Sequence, residues 1–337
     1  MARERVLQQG KLPPALLVEM LAEASPLPDE VVLGPSVGED AAVIAVEAGS
    51  LVVAADPITL TGEGVGRSAV LVNANDVAVM GVRPRWFLAT VLLPVGTTDS
   101  AVRLLFAELH AAADEAGVAL VGGHTEVTGG VGQTVVSGVM MGLGSPDQIV
   151  PSSGATPGDV VVQVGAAPIE GAAVLAPTRG LPWPPTDEPL PSISVVEAAL
   201  TAASLGATSM HDPTEGGLAS GLHELAAASG VAITVNPNEV AWHPRAVAVV
   251  EAAGANPWAT LASGTLLATF GPDAAPAAVG ELRRLVPTAA VIGETHEGEG
   301  VVDLRGAPIG WPDRDEVARL AEAEDADGHP ANPNPPE

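Results

Sequence analysis

Apolar and polar positions along the chain fall into short alternating blocks. Val31–Leu33, Ala42–Val46 and Leu51–Ala55 are brief β-like runs bounded by Gly, Pro and acidic residues. Gly66–Met80 is apolar on most sides and predicts a buried helix stopped by Gly81, followed by a strand at Trp86–Leu93. Asp99–Ala116 reads as an Ala-rich helix, and Val118–Val121 and Gln133–Leu143 read as strands. SSGATPGD at 152–159 is the best boundary, because it packs Ser, Gly and Pro between two ordered patterns. The pattern then restarts with a strand at Val160–Val164, a helix at Ile169–Ala176 and a Pro-rich loop at 177–191. Helices are expected at Ile193–Leu205 and Gly216–Ser229, and a strand at Val231–Val235. His243–Ala253, Gly264–Phe270, Ala274–Leu285, Ala289–Ile292 and Val301–Leu304 complete this second unit. Residues 1–30 look like a helical lead-in, with Leu16, Leu17, Met20 and Leu21 at helical spacing.

Paired strands recur without a helix between them. That favours an α+β fold, with a small mixed sheet and helices in each domain, over a doubly wound parallel sheet. The expected domains are 1–151 and 158–310, followed by an acidic, Pro-rich tail at 314–337 expected to be disordered.

Composition narrows the function classes. The chain has 337 residues, enough for two domains, and 47% of them are apolar while aromatics supply only 2%. No run approaches the roughly 18 apolar residues of a membrane span, and the N-terminal segment lacks a secretory core. A cytoplasmic protein with no membrane partner is expected. The formal charge of −27 leaves no basic surface for nucleic acid. With no cysteine, thiolate nucleophiles, disulfides and thiolate-bound zinc are excluded. There is no GxxxxGK[ST] loop, no GxSxG and no HExxH.

Three carboxylates stand out against the apolar runs: Asp40 in GEDAAVI, Asp56 in LVVAADP and Asp76 in NANDVAVMG. A buried carboxylate is paired, neutralised or metal-bound, and the chain offers 14 basic residues with a single lysine, Lys11. That scarcity points to divalent cations. Each segment also has a structural reading: a turn with solvated acids around Asp40, and a strand end with Asp56 bonded to a backbone N–H. For the third segment the alternative is a satisfied polar network in a helix that places Ala69, Asn73 and Asp76 on one face. In ALVGGHTEVTGG, Gly122 and Gly123 follow an apolar strand and let the backbone approach a ligand, while His124 is a ligand, a polar contact or a structural hydrogen-bonder. In MHDPTEGGLASGLHEL, Asp212-Pro213-Thr214 can cap a helix, and Gly216 and Gly217 leave its N-terminus open to an anion.

Taken in order, GEDAAVI, AADP, NDVAVMGVRP, GGHTEV and DPTEGGLA resemble the motifs of one superfamily, over roughly residues 30–305. It contains aminoimidazole ribonucleotide (AIR) synthetase, the hydrogenase maturation protein HypE, selenophosphate synthetase and thiamine monophosphate kinase, and the HypE-like branch is the most similar. The resemblance implies two α+β domains and a homodimer whose N-terminal sheets join into a barrel. It implies ATP bound without a P-loop, with Mg²⁺ bridging the phosphates to Asp40, Asp56 and Asp76. Asn75 matches the Asn of the family's Asn-Asp pair, and Gly38, Gly122, Gly123, Gly216 and Gly217 fall in the cofactor-binding loops. The shared chemistry is transfer of a phosphoryl group to a carbonyl- or amide-type oxygen of a small-molecule or protein acceptor. His124, Glu126, Asp212 and Glu215 become the catalytic candidates.

Four departures from the family patterns matter. HypE converts a thiocarboxamide on its own C-terminal cysteine to a thiocyanate, and without cysteine that self-modifying version is not expected. The Cys or selenocysteine and Lys of selenophosphate synthetase are absent near VGEDAA. GGHT replaces the GGET-type loop of AIR synthetase, and EGGL replaces the DGL of thiamine monophosphate kinase. The alternatives are an AIR-synthetase- or thiamine-monophosphate-kinase-type enzyme with a phosphorylated acceptor, or a non-catalytic nucleotide-binding protein. For the phosphorylated acceptor, Arg67, Arg83, Arg85 and Arg179 are the only basic residues near the motifs.

Overall fold

The computed structural model describes residues 28–59, 64–183 and 192–326, together with Ala15 and Val18. Most of the expected lead-in helix therefore lies outside the described residues. The architecture is α+β, built on two mixed sheets.

The first sheet has seven strands: β1 (Val31–Leu33), β2 (Ala42–Val46), β3 (Gly49–Ala54), β4 (Pro57–Ile58), β5 (Pro84–Pro94), β6 (Ala119–Thr128) and β7 (Val135–Gly144). Their order is β1-β2-β3-β7-β5-β6, with β4 also on β7. Only β5 and β6 run parallel. Every second residue of β3 and β7 is buried, so one face of the sheet is covered. Two helices cover it, α1 (Val65–Val79) and α2 (Asp99–Ala116). They differ because their sequences differ. In α1, Val, Leu and Ala surround the axis and nearly every residue is buried. In α2, only Leu105, Leu109, Ala112 and Ala113 are buried. Thr98 caps α2 by accepting from Ala101 N, and Gly117 ends it at φ 67°.

The second sheet has the order β13-β10-β12-β8-β11-β9. Its strands are β8 (Val160–Val164), β9 (Ser209–His211), β10 (Ala232–Val235), β11 (Leu266–Phe270), β12 (Ala290–His296) and β13 (Gly300–Asp303). Around it lie α3 (Ile169–Thr178), α4 (Val196–Ser204), α5 (Gly217–Ser229), α6 (Pro244–Ala252), α7 (Ala275–Leu285) and α8 (Glu316–Ala326). One hydrophobic cluster runs through both halves. It joins Val72, Val79 and Met80 of the α1 region to Ala199 and Ala202 of α4 and to Val162 and Leu266 of the second sheet. None of the described helices is long and apolar enough to cross a membrane.

Three elements differ from expectation. β6 continues through Gly122–Gly123 to Thr128, where a loop was expected. A Cβ on Gly123 would fall 1.9 Å from Ala89 O, so this glycine lets β6 lie against β5 at a bulge. The helix expected from Ile193 begins at Val196, because the 193–195 backbone is bonded to Asn75 instead. The tail expected to be disordered from 314 contains α8, with Asp315, Val317 and Ala318 buried. Residues 327–337 lie outside the described residues.

Candidate functional site

The α1 helix organises the site. Its side chains are buried on all sides, so its polar atoms must find partners inside the protein. Asn73 clamps the β3–β4 junction: its Oδ1 accepts from Asp56 N at 2.9 Å and its Nδ2 donates to Asp56 O at 3.1 Å and Ala69 O at 2.9 Å. Gly138 on β7 makes room for this clamp, since a Cβ there would lie 2.5 Å from Asn73 Nδ2. Asp76 follows one helical turn later on the same face and is buried, while Asp56 is half-buried.

Asn75 faces the second half. Its Nδ2 donates to Ile193 O at 2.9 Å and its Oδ1 accepts from Val195 N at 2.8 Å. The amide expected beside phosphate thus ties α1 to the segment that leads into α4.

Asp40 also turns to the second half. It accepts from Ser152 Oγ at 2.9 Å, and its two oxygens lie 2.7 and 2.8 Å from His211 Nδ1. The other ring nitrogen of His211 lies 2.9 Å from Glu224 of α5. Neighbouring Glu39 accepts from Ser152 N at 3.2 Å and Ser153 N at 3.1 Å. Gly38 lets this loop press onto α5, since a Cβ would meet Glu224 O at 2.4 Å. Burial alone would push the His211 ring down, but the charges and hydrogen bonds of Asp40 and Glu224 outweigh it and raise it well above its ordinary value. An imidazolium bridging two carboxylates holds the halves together.

Asp212 is buried at the exit of β9, beside His211. Glu215 is half-buried, and its charge acts on both Glu170 and Asp315. The expected anion site at the head of α5 is filled from within. Asp315 accepts from Gly216 N at 2.8 Å, from Val317 N at 2.7 Å and from the Leu261 N–H. Burial pushes its carboxyl up to about 7, against the pull of those donors and with help from the charge of Glu215. Gly217 adopts φ 64° where the 258–260 backbone crosses the helix start, and a Cβ there would fall 2.5 Å from Thr260 O.

His124 and Glu126 lie elsewhere. They are neighbours on one face of β6, 3.4 Å apart, with side chains 66% and 48% exposed at the open edge of the first sheet. Gly122 and Gly123 belong to the same strand. Among the described residues, no three or more His, Cys, Asp or Glu form a group that could hold a metal ion. The structure thus places the Asp56 backbone on Asn73, Asp76 one turn further along the same helix, and Asp40 on His211.

His211, Glu224, Asp315 and Glu170 were not singled out from the sequence. His211 stood in full view before DPTEGG, yet its partner Asp40 is 171 residues away. Asp315 was hidden in a segment whose composition argued for disorder.

The chain matches the family model described as AIR synthase related protein, N-terminal domain, over residues 38–144, and the corresponding C-terminal domain over 156–304. It is 32% identical over 261 residues to carbamoyl dehydratase HypE of Rhodobacter capsulatus, covering 74% of this chain and 76% of that protein. Among solved structures, the HypE–HypF complex matches with a TM-score of 0.75 at 24% identity, over 88% of this chain and 100% of the matched one. HypE in complex with ATP matches with a TM-score of 0.72 at 23% identity, over 90% and 91% of the two chains.

Proposed function

This chain belongs to the AIR synthase related family, and from that premise we propose that it is an ATP-dependent enzyme of the HypE-like branch. It activates a carboxamide-type oxygen by phosphoryl transfer, so that the oxygen leaves as phosphate and a dehydrated product remains. The observation that carries this reading is the 32% identity to a carbamoyl dehydratase over three quarters of both chains. The ATP-bound relative of the same fold supports the choice of nucleotide. These 337 residues contain no thiol to carry the carbamoyl group, and the proposed acceptor is a small molecule or protein.

Magnesium is part of the proposal. It needs one or two carboxylates and takes the rest of its shell from phosphate oxygens and water. Asp56, whose backbone Asn73 clamps, and Asp76, one turn beyond Asn73 on α1, fit that donor set. Asp40 does not, because His211 and Ser152 already engage its carboxylate. When bound, the ion neutralises charge on a triphosphate that brings about four negative charges to an acidic site. The chain's own part is to hold Asp56 and Asp76 in place, to fix the two halves through Asn75 and His211, and to present the acceptor from the second sheet.

The proposal includes a homodimer through the first sheet. Among the described residues β6 pairs only with β5, which leaves a ten-residue strand with an open edge and Val121 and Val127 exposed. His124 and Glu126 would then face the partner copy or its nucleotide.

The test is phosphate release from ATP and Mg²⁺, with and without S-carbamoyl-N-acetylcysteine. Release that depends on the carbamoyl compound is expected, and Asp76→Asn should weaken Mg²⁺-dependent nucleotide binding. Tight nucleotide binding with no release would instead make the chain a nucleotide-binding protein.

A further inference from the structure

Glu170 sits in the first turn of α3 and is 8% exposed. Gly171 follows it because the 260–261 backbone runs against the helix. A Cβ there would fall 2.3 Å from Thr260 Cγ2, and Gly171 N donates to Leu261 O at 3.0 Å. The same loop carries Ser263, whose hydroxyl and N–H both hydrogen-bond to Glu170. Oε2 of Glu170 is nonetheless buried without a partner among the described residues. Two residues beyond Ser263, the Oγ1 of fully buried Thr265 is also without a partner. Buried polar atoms are almost always satisfied in native proteins, and the exceptions gather where a ligand or a reaction supplies the partner.

The position of this loop adds the second argument. Gly264 lies between Ser263 and Thr265, and a Cβ there would meet Ile193 Cα at 2.9 Å and Ser192 O at 3.1 Å. Ile193 O accepts from Asn75, the residue before Asp76. The loop of Ser263 and Thr265 therefore runs against the 192–193 segment, whose Ile193 O is bonded to the helix that carries Asp76.

We propose that Glu170, with Ser263 and Thr265, forms the acceptor subsite: it binds the amino end of a carboxamide or carbamoyl group and takes its N–H proton. This rests on the function proposed above. In the first step the amide oxygen forms a bond to the γ-phosphorus and the P–O bond to the departing ADP breaks. The N–H electron pair becomes the C=N bond, and the proton passes to the Glu170 carboxylate. Burial pushes this carboxyl up further than the Ser263 bonds draw it down, with Glu215 adding to the rise. A carboxylate made more basic is better matched to such a proton near neutral pH.

The test uses S-carbamoyl-N-acetylcysteine with ATP and Mg²⁺. Glu170→Gln should lower kcat by about 10²–10⁴-fold with ATP affinity unchanged, and Glu170→Asp should recover part of it. Wild-type kcat should fall on the acid side as Glu170 takes up its proton, and that limb should be missing from the residual activity of Glu170→Gln. Binding of the probe, followed by saturation-transfer NMR, should be lost in Glu170→Met. That variant places an apolar isostere where an unsatisfied acid was buried, so it should melt no lower than the wild type. Equal turnover and an unchanged acid limb in Glu170→Gln, or equal probe binding in Glu170→Met, overturns the subsite while leaving the phosphoryl-transfer reading intact. Probe bound through Glu170 without phosphate release keeps the subsite and overturns that reading. A wild type that neither binds nor turns over the probe removes the subsite.

Discussion

Asp40, at the junction between the two sheets, and Glu170, in the first turn of α3, are carboxylates largely removed from solvent, and their surroundings treat them in opposite ways. Asp40 meets a cation and a hydroxyl, His211 at 2.7 Å and Ser152 at 2.9 Å. Glu170 meets Ser263, and its Oε2 has no hydrogen-bond partner among the described residues. Asp315 falls between them, with three backbone donors and no cation, and is pushed up to about 7. Burial pushes the carboxyls of Glu170 and Asp315 up, whereas Asp40 lies against the His211 ring. Asp40 therefore joins the two halves through His211 and Ser152, and Glu170, which no motif announced, is the acid proposed to meet the acceptor.

The sharpest way to break this comparison is to remove the cation. His211→Ala leaves Asp40 and Glu224 buried with no charge between them, which costs about 3–5 kcal/mol. The measurement is the urea midpoint at neutral pH. A midpoint within error of the wild type would mean that the two carboxylates are not charged in the folded protein. Next is the pH dependence of Asp315. Its folded value of about 7 lies above the ordinary 3.8, so its stabilising effect is complete below about pH 4 and is lost as pH rises through 7. The swing is of order 4 kcal/mol. Asp315→Asn should flatten the slope of stability between pH 4 and 7, and an unchanged slope would move its origin to another group.

The helices 65–79 and 99–116 and the strand 160–164 were readable because their apolar spacing is strong and their ends carry Gly, Thr or Pro signals. The α+β class followed from paired strands without helices between them. β6 was misread because Gly122–Gly123 signals a loop, whereas here a glycine is needed for close backbone approach inside a sheet. α8 was missed because acidic composition masked Val317 and Ala318, both of which are buried. Within the site, the burial of Asn73, Asn75 and Asp76 was legible, since the helix around them is apolar on most sides. The His211 brace was not, because no local pattern records a contact across 171 residues. Glu170 gave no signal at all: its distinction is a missing partner, which only the fold reveals.

Asn75 sharpens the comparison from the neutral side. It makes two hydrogen bonds across the same junction without carrying charge, at 2.9 and 2.8 Å. Asn75→Ala strands Ile193 O and Val195 N, and about 1–3 kcal/mol should be lost. The loss should be insensitive to salt, because no net charge is removed. A second expected result is looser attachment of the 193–195 segment, read as faster amide exchange at Val195.

Arg83 provides the weakest and most discriminating comparison. It also joins the two halves, through Glu197 at 2.7 and 3.3 Å, but both side chains are more than half exposed. Exposed pairs of this kind contribute about 0.2–1 kcal/mol and are screened by salt. Arg83→Ala should therefore shift the urea midpoint little at low salt and not at all in 1 M NaCl. If it cost as much as Asn75→Ala, or if its cost survived high salt, the surface pair would be a principal fastening of the two halves. The assignment of that role to the buried brace around His211 and Asn75 would then fail, because burial would no longer separate strong contacts from weak ones.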